Sequence, residues 1–257
     1  MKDTIYLHRS YKKLDGYHKG RIGGLLLLVA LLDLVVAVWH RPLLERFVGV
    51  VAWLASRAGL ASEIVVWRFL PSWAIRMPVV ETAGRFPSRE FSLVTLLVSA
   101  LVVLVLPHLR RLPKAIRVYG FFLGLLNVVA AAFFVFVPQW FPYDVSDFSL
   151  LYMGTQLGIW LLLPVILGLA LAPLPAPLLE KFAVILGTVG YAVVFGAVRY
   201  AAFLYLLREA TVLHMAALFF ALGPLIDFVY MVAIYSIYLN ILALRLRDRP
   251  ETWRWSF

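Results

Sequence analysis

A chain of 257 residues that is 63% hydrophobic, with a mean hydropathy of +0.90, carries apolar runs too long for the core helices of a soluble domain, so it reads as an integral membrane protein. Its formal net charge of +10 comes mostly from basic residues flanking those runs, a distribution that reports topology and argues against a nucleic-acid partner. The chain has no cysteine and no CxxC, HExxH, Walker or GxGxxG pattern, which removes thiol-redox, soluble metalloprotease and nucleotide-binding chemistries; no cofactor or metal is expected.

A membrane span needs roughly 20 mostly apolar residues at about 1.5 Å each. Six stretches qualify, near 22–39, 91–107, 117–138, 149–172, 182–207 and 212–243. The first follows Lys12, Lys13, Lys19 and Arg21 as a signal peptide would. However, LLLLVALLDLVVAVW is longer than a signal core and runs into His40, Arg41 and Pro42 without a small-residue cleavage site, which predicts an uncleaved anchor. The expected fold is an all-α polytopic membrane protein of about six transmembrane helices. It forms a single membrane domain over 1–257, with no internal repeat.

The segment 40–90 separates the first two spans. Leu44, Phe47, Val48, Val51 and Leu54 recur at helical spacing with Glu45, Arg46 and Arg57 elsewhere on the wheel, predicting an amphipathic helix over 43–58 that lies on the outer membrane face. IVVWRFL and WAIRMPVV, rich in β-branched and aromatic residues and interrupted by Pro71 and Pro78, predict short extended pieces forming a cap. Such a segment either packs on the bundle as a connector or serves as a lid or partner-docking surface.

Orientation follows from the basic residues. Lys2, Arg9, Lys12, Lys13, Lys19 and Arg21 precede the first span, Arg110, Arg111, Lys114 and Arg117 lie between the second and third, and Arg245, Arg247, Arg249 and Arg254 follow the sixth. An even number of spans puts all three groups on one side, expected to be cytoplasmic. Residues 1–21 are then a cytoplasmic basic tail of a cell-membrane protein, both termini are inside, and 40–90 is extracytoplasmic. FPYDVSDF, with Asp144 and Asp147 and no Lys or Arg, suits an outside loop. Trp39, Trp140 and Tyr143 are expected at the outer interface, and Trp253 and Trp255 at the inner one.

Within the spans, Gly120 and Gly124 form GxxxG, and Gly187, Gly190 and Gly196 give the fifth span a small-residue face for close helix approach. Pro164 and Pro224 are expected to kink or open spans four and six, each releasing a carbonyl about four residues earlier.

A charge at bilayer depth costs at least ~2.5 to 3.5 kcal/mol, so Asp33, Arg199 and Asp227 each need a partner, water or a function. At about 1.5 Å per residue, Arg199 lies roughly 12 Å below the outer surface, with His214 near that surface and Thr155 and Gln156 roughly 9 to 11 Å down. Polar groups from three spans thus converge on one depth. Asp33, Asn127 and Asp227 fall nearer the middle or inner half, where a structural polar network is favoured over a proton or ion pathway. Taken singly, Arg199 can snorkel or pair with Asp147 or Glu209, and His214 can be an interfacial histidine at a helix start capped by Thr211. Taken together, a guanidinium can hold an oxyanion and a histidine can relay protons, while acyl transfer also needs a nucleophile.

Residues 117–243, with GAVRYAAFLYLL in span five, a short turn and then VLHMAALFFALGPL opening span six, resemble the exosortase and archaeosortase family of membrane transpeptidases. The resemblance implies a Cys, Arg and His on the outer side that process C-terminal sorting signals, with Arg199 and His214 matching the arginine and histidine. Where the family carries its cysteine, DFSLLYMGTQLG offers only Ser149 or Thr155. The asparagine often found three residues before the arginine is Gly196, and the acid common after the histidine is Met215. Two versions follow from the resemblance: a member with Thr155 or Ser149 as nucleophile, which only His214 could activate, or a relative that keeps the fold for binding or assembly. The absent cysteine favours the second, a non-catalytic subunit of a larger membrane or cell-envelope complex, with membrane lipid and other membrane-protein subunits as partners. A proton-coupled transporter subunit using Asp33, Asn127 and Asp227 is a further alternative that no repeat supports. Haem ligation by His40 and His214 ranks below these, because haem-binding pairs usually sit deeper.

Overall fold

The computed structural model of the chain describes residues 16–68 and 76–245. Lys2, Arg9, Lys12, Lys13, the Pro71 region of the expected cap, Arg247, Arg249, Trp253, Arg254 and Trp255 lie outside the described residues, as do the side chains of Lys19 and Arg21.

In chain order the elements are α1 (Gly16–Val38), α2 (His40–Arg57), β1 (Glu63–Arg68), β2 (Arg76–Glu81), α3 (Arg89–Val105), α4 (Lys114–Phe136), α5 (Val145–Leu171), α6 (Leu178–Glu209) and α7 (Pro224–Arg245). Short 3₁₀ turns follow α3 (Leu106–His108) and α4 (Pro138–Trp140). The chain between α6 and α7 is a 3₁₀ turn at Val212–His214 and then a π-helical segment at Ala217–Ala221. This is an all-α polytopic membrane protein. Among the described residues, five helices are long and apolar enough to cross a bilayer: Arg89–His108, Lys114–Phe136, Val145–Leu171, Leu178–Glu209 and Ala217–Arg245. The number is six if Ile22–Val38 and His40–Arg57 count together as one span.

The chain groups into two compact units. The first is drawn from Met1–Trp39, Trp160–Ala192 and Tyr230–Phe257. Within it, Gly168 lets α5 approach Val29 of α1 so closely that a Cβ would come within 2.8 Å of the valine side chain. α5 continues as helix through Pro164. Lys181 is buried and donates from Nζ to the Ala172 carbonyl at 2.9 Å, placing a cation where the last carbonyls of α5 lack helical donors. Arg245 grips both oxygens of Glu180 at 2.8 and 2.9 Å. A Cβ at Gly187 or Gly190 would touch nothing within 4 Å, so this part of the small-residue face makes no close approach among the described residues.

The second unit comprises His40–Ile159 and Val193–Val229. Here α3 and α4 form a tight antiparallel pair. A Cβ at Gly120 would strike Leu106 and one at Gly124 would crowd Val103, so the GxxxG pair is the surface against which α3 packs. The expected cap is an antiparallel hairpin with Glu63 opposite Glu81 and Val65 opposite Val79. β2 buries Met77, Val79 and Val80, and α2 packs on it, burying the predicted stripe of Leu44, Phe47, Val48 and Val51.

The far edge of β2 is closed by side chains. Val80 donates its N–H to the Tyr200 hydroxyl at 3.2 Å, and its carbonyl accepts from Ser149 Oγ at 3.2 Å. Pro78, two residues earlier and on the same edge, has no N–H to leave unmatched. Beyond β2, the Arg85 backbone donates to Leu207 at 3.2 Å and accepts from Val212 at 3.0 Å, tying the hairpin exit to the end of α6.

Tyr200→Phe therefore strands a buried N–H, at a cost of about 1 to 3 kcal/mol. Amide exchange measured along residues 76–81 is expected to accelerate in this variant and again in Ser149→Ala. Unchanged exchange in both would mean that the β2 edge is held by other groups.

Candidate functional site

Arg199 sits on α6, well inside the second unit, with a side chain only 6% exposed. A guanidinium has five N–H groups, and here each has an acceptor. Nε donates to the Tyr152 hydroxyl at 3.1 Å. Nη1 donates to the carbonyls of Gly223 at 3.1 Å and Leu222 at 3.4 Å. Nη2 donates to Asp227 Oδ2 at 2.8 Å and Gln156 Oε1 at 3.4 Å. The rings of Tyr152 and Phe195 cover the cation, their centroids 5.6 and 5.3 Å from Cζ.

Local sequence explains how these acceptors come to hand. Tyr152 and Gln156 are four residues apart on α5 and so share a face. Tyr152 donates its hydroxyl hydrogen bond to the Gly196 carbonyl at 2.8 Å, which turns its oxygen lone pairs toward Arg199. Gly196 leaves room for the Gln156 amide, which a Cβ there would meet at 2.8 to 2.9 Å. On the other side, Pro224 has no N–H, and the π-helical Ala217–Ala221 segment ends at Leu222 and Gly223. The break was expected to free a carbonyl near residue 220. The carbonyls that Arg199 takes are those of Leu222 and Gly223, because the π segment carries the disruption past the position a simple proline kink would give.

The structure regroups the polar residues. Asp227, expected deeper beside Asn127 and Asp33, is the ion-pair partner of Arg199, with both side chains 6% exposed. Its Oδ1 is buried and has no hydrogen-bond donor among the described residues. Asn127 instead meets His214, with Oδ1 2.9 Å from Nδ1. Asn127 Nδ2 donates to the Leu123 carbonyl at 2.9 Å, so its Oδ1 must be the acceptor, which puts the imidazole proton on Nδ1 and leaves Nε2 as the basic nitrogen. Phe91 stands edge-on to the His214 ring at 6.2 Å. Asp33 lies on α1 in the other unit, its Oδ1 buried without a hydrogen-bond partner among the described residues. Counting 1.5 Å per residue from 212 presumes one α-helix, whereas 212–223 is a 3₁₀ turn, a π segment and a break.

The two nucleophile candidates are tied to backbone. Thr155 Oγ1 donates to the Leu151 carbonyl one turn earlier at 2.9 Å, and Ser149 is fully buried against Val80. Asp147 exchanges hydrogen bonds with Asp144 at 2.8 and 3.1 Å, a reciprocal cap on α5, so it is not the partner of Arg199. Glu209 lies beside Arg208 at 4.0 Å. Thr211 makes no side-chain cap hydrogen bond to the turn that carries His214.

Tyr152, Tyr200 and Phe195 went unpredicted. The tyrosines stack with centroids 4.6 Å apart, linking the Arg199 cluster to the β2 edge. The i, i+4 spacing of Tyr152 and Gln156 was the available signal. Next to this cluster, the π segment helps line an apolar cavity of about 600 Å³, walled by Phe141, Phe148, Leu151, Met215 and Phe219, with Asp147 its acidic member.

No family model, curated protein or solved structure matches this chain.

Removing one partner of a buried ion pair costs about 3 to 5 kcal/mol, because the other charge is left uncompensated. Asp227→Asn is expected to lower the melting temperature in mild detergent accordingly. Arg199→Lys, with three donors in place of five, is expected to lower it as well. An unchanged melting temperature in both variants would show that the guanidinium is not committed to the fold.

Proposed function

We propose that this chain is a non-catalytic, exosortase/archaeosortase-like integral membrane protein that serves as a binding or assembly subunit of a larger membrane or cell-envelope complex. The observation that carries the reading is the complete use of the Arg199 donors inside the protein. A guanidinium that is to stabilise an oxyanion must offer a donor when charge develops there, and this one would first have to surrender Asp227 or a carbonyl. The hydroxyls of Thr155 and Ser149 are likewise spent on backbone carbonyls. Positive-inside orientation would put the hairpin and the apolar cavity on the outer side, where the cavity suits an apolar segment of a membrane partner.

One observation favours the transpeptidase as a second reading. Asn127 orients His214 with Nε2 as the basic nitrogen, the state a general base requires.

Purification from native membranes in mild detergent is expected to retain a stoichiometric membrane-protein partner. Leu151→Trp, which fills the cavity from a half-exposed position, should release it while the unfolding free energy stays within about 0.5 kcal/mol of wild type. Thr155→Ala and His214→Ala should leave the complex intact. A monomeric wild type that cleaves a C-terminal sorting peptide, with that activity lost in Thr155→Ala, would overturn the proposal in favour of the second reading.

A further inference from the structure

The turn between α3 and α4 carries Arg110, Arg111 and Lys114, all exposed, and none of them has a side-chain hydrogen bond or ion pair among the described residues. No acidic residue occurs anywhere from 91 to 143, and the one acid of α3, Glu90, sits in its first turn at the opposite end from Arg110, so no carboxylate of either helix stands beside them. α4 begins at Lys114 after Pro113 with no side-chain cap and no acid in its first turn, so its free backbone N–H groups add partial positive charge at the same place. The turn is also held in shape. Arg117 donates from Nη1 to the Pro107 carbonyl at 3.1 Å, its Nε is buried without an acceptor among the described residues, and Gly120 admits Leu106 against α4.

The surroundings of these cations are lipid-like. Leu104, Leu109 and Ile116 flank the turn as exposed apolar side chains, and α3 and α4 are both apolar enough to cross a bilayer, which sets the turn at headgroup level. A solvated basic turn needs neither an uncapped helix start nor apolar flanks. A bound amphiphile with an anionic phosphate and hydrocarbon tails is matched by all of these features. We propose that the α3–α4 turn is a binding site for an anionic phospholipid headgroup. The phosphate lies on Arg110, Arg111, Lys114 and the first amides of α4, and the acyl chains run along Leu104 and Ile116.

Because the chain has no cysteine, Leu109→Cys gives one unique attachment point for a fluorophore at the turn. The full chain, reconstituted in phosphatidylcholine vesicles, is titrated with brominated phosphatidylglycerol or brominated phosphatidylcholine, and quenching gives the relative binding constant at the probe. A juxtamembrane cation contributes about fivefold each, so a preference of about fivefold or more for the anionic lipid is expected, falling toward one in Arg110→Gln/Arg111→Gln/Lys114→Gln. Equal quenching by the two lipids, or a preference that survives the triple substitution, would overturn the proposal. So would loss of the preference on adding inorganic phosphate, since that outcome assigns the site to the free ion. If Leu109→Cys fails to insert, Val118→Cys, exposed one turn into α4 and outside the proposed site, gives the same readout.

Discussion

A guanidinium buried within a membrane-spanning bundle has to find five acceptors and a counter-charge, or it does not stay there. Arg199 finds them on two sides: Tyr152 and Gln156 from α5, and Asp227 with the Leu222 and Gly223 carbonyls from the broken start of the last span. The same interaction that satisfies the arginine also ties down the break: Nη1 takes the Leu222 carbonyl, and it adds a donor to the Gly223 carbonyl, which accepts from the Ile226 and Asp227 amides at 3.0 and 3.4 Å. Tyr152 then stacks on Tyr200, whose hydroxyl accepts from the outer edge of β2. One ion pair thereby connects a discontinuous span, two continuous ones and a hairpin.

That connection decides what the residue can do. A site that accelerates acyl transfer keeps donors aimed at charge that appears only in the transition state. Donors already saturated in the ground state support geometry, and here the supported geometry is the π segment that lines the apolar cavity. His214 is held separately by Asn127, so the arginine and histidine that suggest a common site in sequence have different partners in space.

Apolar run length made the membrane-spanning helices legible, and spacing revealed the amphipathic α2 and the glycine seam between α3 and α4, since each follows from a local period. The extended cap was legible in residue type, with Pro78 on the edge where its missing N–H is harmless. The pairings inside the site were not. Asp227 and Asn127 exchange the neighbours that residue counting assigns them, because counting treats the stretch after His214 as regular helix. The tyrosines were also hidden, since an apolar chain with 12 of them offers no way to tell which hydroxyl faces a buried cation.

The central claim is that Arg199 and Asp227 act as one structural unit, and a double-mutant cycle with Arg199→Leu and Asp227→Leu tests it most directly. Unfolding free energies measured in mild detergent are predicted to be non-additive, the double variant recovering about 2 kcal/mol or more of the summed single losses because neither charge is left alone. Strict additivity of the two losses would contradict the claim and return Arg199 to the set of residues free to meet a ligand.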